Sequence, residues 1–280
     1  MEHKIDLVVN TFERTYRDVL KHGFFTNIET QNKRKFTRKI ALINNVQNRD
    51  EATALAKKLV NLGELDAFYF VDELLAKALK QSGLTQRDLG RIPHYSDCAL
   101  VAVTLPGSPW LVYWDAEVRL QEPVNWIDPS IALMESNRQI VVANPNWWLP
   151  GLEKETFVET GDFALGYGFS DALFLIRRED FLLPIYRESC PVSLRYPLAH
   201  VARVFEQRVD AYMRNNRRLR ATYKQATYVH PENYGAAYPD LSTPEKVKKL
   251  RNYLLIKVLQ FIPTNNPRWS IYPNLFGKKR

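Results

Sequence analysis

Cysteine is scarce in this sequence, and a long hydrophobic run is absent. The 280 residues include two cysteines, Cys98 and Cys190, which are too few for a disulfide framework and lack the spacing of a metal-binding motif. No apolar stretch reaches the roughly 18 residues that span a bilayer. The first residues carry no signal-peptide hydrophobic region. We therefore expect a cytoplasmic protein.

Glycine-based phosphate-binding motifs are also missing. Residues 10–17, which follow the first predicted strand, contain no glycine. Residues 161–168 are punctuated by glycine, but they match neither the Rossmann fingerprint nor the P-loop, and we expect them to form a flexible loop. Internal repeats, low-complexity segments and long linkers are absent as well. The sequence therefore predicts a single domain over residues 1–280.

The charge balance of the chain is basic. The formal net charge is +8, from 39 Lys and Arg residues against 31 Asp and Glu residues. Such an excess favours an anionic partner, which can be a nucleotide, a nucleic acid or an acidic membrane surface. No basic-aromatic repeat or nucleic-acid-binding motif is visible. We expect no nucleic acid partner, and a non-enzymatic nucleic-acid-binding protein is the more distant alternative.

Strand and helix patterns alternate in the first part of the chain. Apolar runs predict strands at 5–10, 39–46 and 67–71, and helical patterns follow them. This order is typical of parallel βαβ units. It predicts an α/β fold with a Rossmann-type, mostly parallel central sheet and helices on both faces. Ligands of such sheets bind beyond the carboxyl ends of the strands, where the polar residues of this chain are Asn10, Thr11, Asn44 and Asp72.

Two carboxylates end the next apolar run. Asp115 and Glu117 follow residues 110–114 and are separated by one small residue. In an extended chain, residues i and i+2 point to the same side, so both acids can face one cation. Mg²⁺ and Mn²⁺ prefer such oxygen ligands, shared with substrate phosphates. A strand that simply turns into solvent would also explain the pair.

The second part of the chain offers candidates for acid-base chemistry and stacking. Asp171 follows the glycine-punctuated segment and opens the apolar run 172–176, so it is a candidate general base or, equally, a helix N-cap. Glu159 and Asp162 are second choices for the base. The adjacent Trp147 and Trp148 suit stacking against a flat ligand, and they suit filling the core equally well.

Two long helices are predicted near the C-terminus. Residues 197–223 have a helical apolar pattern whose far end, from Arg214 to Lys224, is strongly basic. Together with the tail 278–280, this basic strip can contact an anionic surface, although a merely solvated helix face explains it too. His230 follows the predicted helix. Residues 243–261 form a last amphipathic helix.

The order of these parts resembles glycosyltransferases of the GT-A fold over roughly residues 5–235. The resemblance is carried by Tyr113-Trp114-Asp115-Ala116-Glu117, with Glu117 where the family usually has Asp. It implies a nucleotide-sugar-binding half at about 1–120 and an acceptor half at about 121–235, followed by a C-terminal helix and basic tail at about 236–280.

The resemblance also implies roles for individual residues. Mn²⁺ or Mg²⁺ would be held by Asp115, Glu117 and His230 against the diphosphate of a nucleotide sugar, most simply a UDP-sugar. The nucleotide would be contacted by residues at the strand ends, namely Asn10, Thr11, Arg14, Asn44, Asp72 and Asp115. Asp171 would be the base of an inverting enzyme, whereas a retaining enzyme would not need it.

The resemblance further implies an acceptor that is a glycan or is lipid-linked, as in bacterial-type surface polysaccharide or glycolipid synthesis. The enzyme could then lie on the inner face of the membrane. A nucleotidyltransferase, or another metal-dependent phosphoryl-transfer enzyme, is the alternative. It would use the same Asp-x-Glu, but it should also have a glycine-rich phosphate loop near the first strand, and residues 10–17 lack one.

Overall fold

The fold is a mixed sheet with helices on both faces. The computed structural model describes residues 3–147, 152, 155–230, 239–262, 266 and 268–271. The strands are β1 Ile5–Phe12, β2 Arg38–Asn44, β3 Ala67–Phe70, β4 Trp110–Asp115, β5 Arg119–Leu120, β6 Ile140–Asn146, β7 Thr156–Thr160, β8 Phe163–Gly166, β9 Leu173–Arg177 and β10 Leu219–Val229. The helices are α1 Tyr16–Val19, α2 Phe24–Gln31, α3 Arg49–Asn61, α4 Val71–Ser82, α5 Asp97–Thr104, α6 Ile127–Ser136, α7 Arg178–Phe181, α8 Phe205–Asn215 and α9 Thr243–Phe261.

The sheet has a parallel half and a mixed half. Its strand order is β3-β2-β1-β4-β9-β6-β10-β8-β7, and β5 pairs with β10 off this path. The pairs from β3 to β4 are all parallel, whereas β9 runs antiparallel to both β4 and β6. The predicted α/β architecture is therefore confirmed, and its parallel βαβ part comprises the first four strands.

Side chains of β1 alternate between two hydrophobic layers. Leu7 and Val9 pack on the face that is covered by α2, α3 and α6, whereas Val8 packs on the face that is covered by α5 and α8. This alternation follows from the two-residue period of a strand. Both faces of the strand are buried, which explains the continuous apolar run in the sequence. The prediction of helices on both faces is confirmed.

The register of β1 and β4 brings two candidate residues together. Asn10 lies opposite Asp115 in this parallel pair. Trp114 is buried, and its indole Nε1 donates a hydrogen bond to the carbonyl of Val118 at 3.1 Å. This bond spans the turn that follows Asp115, so the aromatic run in the sequence also fixes the backbone beside the carboxylate.

The prediction of one helix over residues 197–223 is wrong. Helix α8 covers only Phe205–Asn215, and Arg217 then adopts a left-handed φ of 52°, which ends the helical path. Residues 219–229 form β10 instead, because their backbone pairs with both β6 and β8. The basic strip is not a solvated helix face either, since Arg214 and Arg220 are each only 2% exposed.

The expected loop at residues 161–168 is also wrong in part. Phe163–Gly166 form strand β8, which pairs with β7 and β10. Gly166 is required there, because a Cβ at this position would lie 2.2 Å from the carbonyl oxygen of Glu155. Its glycine reflects close strand packing rather than a flexible segment.

The predicted C-terminal helix is confirmed, with bounds of Thr243–Phe261. No helix within the described ranges is long and apolar enough to cross a membrane. Trp148 and the tail 278–280 lie outside the described residues.

Candidate active site

Asp115 lies at the carboxyl end of β4 and is held by two neutral donors. The Asn10 side-chain amide donates to its Oδ2 at 3.2 Å, and the backbone N–H of Glu117 donates to its Oδ1 at 2.9 Å. The carbonyl oxygen of the Asn10 side chain is buried and has no hydrogen-bond partner among the described residues. Burial raises the pKa of Asp115, while His230 acts in the opposite direction. The carboxyl end of β4 therefore holds a desolvated carboxylate, on Asp115, next to the side-chain oxygen of Asn10, which is available as a ligand.

The turn after β4 changes the expected geometry of Asp115 and Glu117. The Val118 N–H donates to the Asp115 carbonyl at 3.1 Å, so Ala116 and Glu117 form a turn rather than an extended segment. The premise that residues i and i+2 point to one side of a strand therefore fails here. Glu117 lines a cavity of about 250 Å³ together with Thr15 and Gln31. Its role as a metal ligand stays a prediction.

His230 follows the last residue of β10. Strand β10 pairs antiparallel with β5, which places Val229 opposite Arg119, shortly after the Asp115 turn. The exposed His230 ring lies 5.9 Å from the ring of Tyr228, and its charge lowers the pKa of Asp115. Within the described ranges, no three His, Cys, Asp or Glu side chains are grouped to hold a metal ion.

A second carboxyl group, on Asp171, lies in the same region and is hydrogen-bonded to Glu206. The backbone N–H of Asp171 donates to Glu206 Oε1 at 3.1 Å, and the two side chains share a further hydrogen bond. Glu206 lies in the first turn of α8. Because Asp171 precedes strand β9 rather than a helix, it is not an N-cap.

The electrostatics of this carboxyl pair favour a shared proton. Burial, followed by the charge of Asp115, raises the pKa of Asp171 to about 7. Burial and the charge of Asp171 raise the pKa of Glu206 well above its usual value. Two close carboxylates in a desolvated site cannot both ionise easily. The side-chain hydrogen bond lowers the pKa of Asp171 and raises that of Glu206, so the singly protonated pair is favoured over the doubly ionised one.

The backbone connects Asp171 to the Asp115 edge. The N–H of Asp115 donates to the carbonyl of Ala172 at 2.8 Å. On the other side, the Ser170 and Tyr228 hydroxyls lie 2.9 Å apart. Asp171 is therefore held between β4 and β10, near Asp115.

Other predicted nucleotide-binding residues have protein partners. Thr11 is buried, with its hydroxyl 3.0 Å from that of Thr15. The Asn44 amide donates to Asp97 Oδ1 and to Cys98 Sγ, both at 3.0 Å. The exposed Arg14 places its guanidinium 5.3 Å from the centre of the Phe12 ring. Contact of these residues with a nucleotide stays a prediction.

Asp72 lies farther from the first strand than expected. It stands in the first turn of α4 and pairs with Arg49 at 2.7 Å. Strand β2 lies between β3 and β1. Two strand spacings therefore separate β3 from β1, a distance of about 10 Å. Asp72 therefore does not lie beside Asn10 in the sheet order, and its contact with a nucleotide base stays a prediction.

The second choices for a base lie elsewhere. Glu159 is exposed on β7 and pairs with Lys224 at 2.9 Å. Asp162 lies in the turn between β7 and β8, where it accepts a hydrogen bond from Gln225 at 3.3 Å. Both belong to the far end of the sheet, so among these acids Asp171 alone is electrostatically coupled to Asp115.

Two features near the candidate site were not predicted from the sequence, namely Glu206 and a buried basic cluster. Arg195 and Arg220 both bind the carboxylate of Glu155. Arg220 Nε and Nη1 are buried without a hydrogen-bond partner among the described residues, and the guanidinium lies 4.6 Å from the centre of the Trp147 ring. In the sequence Arg220 belongs to an apparently solvated basic strip, and Arg195 lies just before the predicted helix 197–223, so the burial of both had no local signal.

A further cavity lies away from these acids. It measures about 820 Å³ and is lined by residues at the amino end of β4, including Ser108, Trp110 and Arg177. Asp115 is at the opposite end of that strand. This cavity is therefore at the edge of the sheet opposite to the candidate site.

No protein-family model matches the chain, and no curated protein matches it. Several solved structures are similar in fold. GalNAc-T7 with UDP, GalNAc and Mn²⁺ matches over 90% of this chain and 48% of its own, at 12% identity and a TM-score of 0.49. The chain thus spans about half the length of that protein.

Two bacterial structures are similar in the same way. Staphylococcus aureus TarS 1-349 in complex with UDP matches over 95% of this chain and 68% of its own, at 12% identity and a TM-score of 0.46. The glucosyl-3-phosphoglycerate synthase of Mycobacterium tuberculosis, with Mn²⁺, UDP and glucosyl-3-phosphoglycerate, matches over 90% of this chain and 79% of its own, at 10% identity and a TM-score of 0.44. Similarity this distant assigns neither a family nor a substrate to the chain.

Proposed function

We propose that this chain is a glycosyltransferase that moves a sugar from a nucleotide-diphosphate donor, a UDP-sugar in the first instance, to an acceptor hydroxyl. The proposal is carried by one observation, the placement of the hydrogen-bonded carboxyl pair Asp171–Glu206 next to Asp115 at the carboxyl end of β4. In this arrangement Asp115 is available to bind a metal ion and the diphosphate, and Asp171 is a separate group that can accept a proton.

The residues at this edge fit a divalent cation bound partly by substrate. Asp115 is desolvated, its hydrogen-bond donors are uncharged, and the Asn10 side-chain oxygen beside it has no partner among the described residues. Mg²⁺ and Mn²⁺ sites often use one or two carboxylates and take their other ligands from phosphates and water. We propose Asp115 as the main protein ligand, with Glu117 and His230 as further ligands. The cation would supply Lewis-acid stabilisation of the departing diphosphate.

Asp171 is the proposed general base of an inverting reaction. Its carboxylate would take the proton of the acceptor hydroxyl while that oxygen forms a bond to the anomeric carbon and the bond to the diphosphate oxygen breaks. A pKa of about 7 suits a base that works near neutral pH. Glu206 acts as a positioning residue, because its acceptor oxygen binds the Asp171 backbone N–H. A retaining reaction would use the same donor site without this base.

The acceptor half contains features that suit an anionic or sugar ligand. Arg220 carries two buried N–H positions without a partner in the described part of the chain, next to the partly buried Trp147. We propose a glycan or a lipid-linked sugar as acceptor, in surface polysaccharide or glycolipid synthesis. The expected cytoplasmic location at an anionic membrane is part of this proposal, although Arg214 and Arg220 of the basic strip are buried.

A thermal-shift screen of UDP, GDP, CMP and dTDP, each with and without Mn²⁺, tests the donor site. We expect UDP to stabilise the protein more with Mn²⁺ than without it. Donor turnover, measured as UDP release from UDP-sugars, then tests the chemistry, with Asp162→Asn as the matched control for Asp171→Asn. Loss of turnover in both variants, or in neither, would contradict the role of Asp171 in an inverting reaction. Stabilisation by oligonucleotides with a steep salt dependence, and not by nucleotides, would instead identify a nucleic-acid-binding protein.

A further inference from the structure

Helix α9 presents an apolar stripe to solvent. The stripe consists of Val247, Leu250, Leu254, Val258 and Phe261, each at least 54% exposed. At about 100° per residue, these five positions lie within an arc of about 80° on the helix surface. Monomeric soluble proteins rarely leave a continuous apolar stripe of this kind uncovered.

The opposite side of α9 attaches the helix to the rest of the protein. Ile256 and Leu259 pack against a cluster of buried residues that includes Cys190, Val192 and Ala211. Asn252 on the same side is buried. The stripe therefore does not face the core.

The N-terminal end of α9 is also fixed. Ser242 and Glu245 form a capping box, and Glu245 pairs with Arg91 at 2.7 Å. The helix is therefore held firmly while its apolar stripe remains outward.

Basic side chains border the stripe on both sides. Lys246 and Lys257 lie along one border, and Arg251 lies along the other, by the same rotation of 100° per residue. With Lys249, the helix carries five cations against the single acid Glu245, a net charge of +4 (5 − 1). Glu245 is already neutralised by Arg91.

This combination indicates the kind of partner. A second copy packed through the same stripe would bring two sets of cations together, which is unfavourable. An anionic bilayer accepts both features, because its acyl boundary takes up the apolar stripe while its headgroups attract the flanking lysines and arginine. The charge pattern therefore favours a lipid surface over a dimer.

We propose that α9 binds in the plane of an anionic lipid surface, with the stripe inserted at the boundary between headgroups and acyl chains. None of the residues involved belongs to the candidate active site. The proposal stands independently of the proposed reaction, and its test requires no activity.

Vesicle co-sedimentation tests the apolar part of the proposal. The full chain is mixed with phosphatidylcholine vesicles and with vesicles that also contain about 30% phosphatidylglycerol, at about 50 mM and about 500 mM salt. We expect binding to the anionic vesicles at low salt and at least tenfold weaker binding to neutral vesicles. The double variant Leu250→Ser/Leu254→Ser should lose at least tenfold in affinity, whereas Leu62→Ser/Val158→Ser, at comparably exposed positions, should bind as the unaltered protein does.

A second pair of variants tests the charges. Lys246→Gln/Lys257→Gln should weaken binding to anionic vesicles at low salt, whereas Lys57→Gln/Lys58→Gln on α3, also exposed, should not. Equal binding to neutral and anionic vesicles would overturn the proposal, as would equal loss in test and control variants. Sedimentation velocity without lipid completes the test. A concentration-dependent dimer that Leu250→Ser/Leu254→Ser abolishes would show that a second copy covers the stripe, and would likewise overturn it.

Discussion

Replacing Glu206 with leucine should shift the pH dependence of the reaction upward. With Glu206 present, the pKa of Asp171 is about 7, and the side-chain hydrogen bond from Glu206 holds it below the value that burial alone would give. Leucine removes that donor. Hydrogen bonds to charged groups contribute about 1.5–3 kcal/mol, and 1.36 kcal/mol corresponds to one pKa unit. The acidic limb of the rate profile should therefore move up by about one to two pH units.

Glu206→Gln provides the matched control. Glutamine keeps a side-chain oxygen for the Asp171 backbone N–H, which now donates to Glu206 Oε1 at 3.1 Å. It also keeps an N–H donor for the Asp171 carboxylate. The glutamine variant should therefore have a profile close to that of the unaltered protein, whereas leucine also leaves the Asp171 N–H without this acceptor.

Initial rates of UDP release from a UDP-sugar, at saturating acceptor and over about pH 5.5–9.5, measure these shifts. Circular dichroism at each pH verifies that the variants stay folded. A leucine variant whose acidic limb lies at or below that of the unaltered protein would refute the reasoning. Equal shifts in the glutamine and leucine variants would refute the positioning role of Glu206.

Three further outcomes follow from the site. The folded pKa of Asp171, about 7, exceeds the unfolded value of 3.8, so its folded form binds the extra proton between these values and stability falls as pH rises through them. Asp171→Asn should therefore gain up to about 4 kcal/mol in urea unfolding at pH 8 and little at pH 4, and an equal gain at both would contradict this. Gly168→Ala should destabilise by about 1–3 kcal/mol, because its φ is 106° and a Cβ would lie 2.7 Å from Arg220 Nη1. In thermal unfolding it should lose more than Gly161→Ala, which has a φ of 54° and nothing within 4 Å, and equal losses would contradict the contact. His230→Ala should raise the Mn²⁺ concentration for half-maximal activity more than it lowers the rate at saturating Mn²⁺, and midpoints identical to those of the exposed control His22→Ala would contradict a metal-ligand role.

The sequence predicts the parallel half of the sheet and the last helix for local reasons. Strands β1, β2 and β4 are buried on both faces, so their apolar runs are visible without any knowledge of partners. Helix α9 carries a capping box and a proline in its first turn, which mark its start in the sequence. Both features depend on residues close together in the chain.

The errors arise where distant contacts decide the structure. Residues 219–229 have a plausible helical pattern, but pairing with β6 and β8 makes them a strand. The sequence pattern predicts a solvated Arg220, but in the structure this side chain is buried and forms an ion pair with Glu155. Glu206 lies 35 positions from Asp171, and only the packing of α8 beside β9 makes them a pair. These outcomes require tertiary structure that no local pattern contains.

Isothermal titration of UDP with and without Mn²⁺ measures whether Asp115 binds the metal of the proposed donor site. We expect Mn²⁺ to strengthen UDP binding to the unaltered protein, and Asp115→Asn to remove most of this gain, on the order of tenfold or more in affinity. Asp171→Asn, with its change on the proposed acceptor side, should keep the gain. If Asp115→Asn binds UDP with the same Mn²⁺ dependence as the unaltered protein, Asp115 is not the metal ligand, and the proposed donor site is wrong.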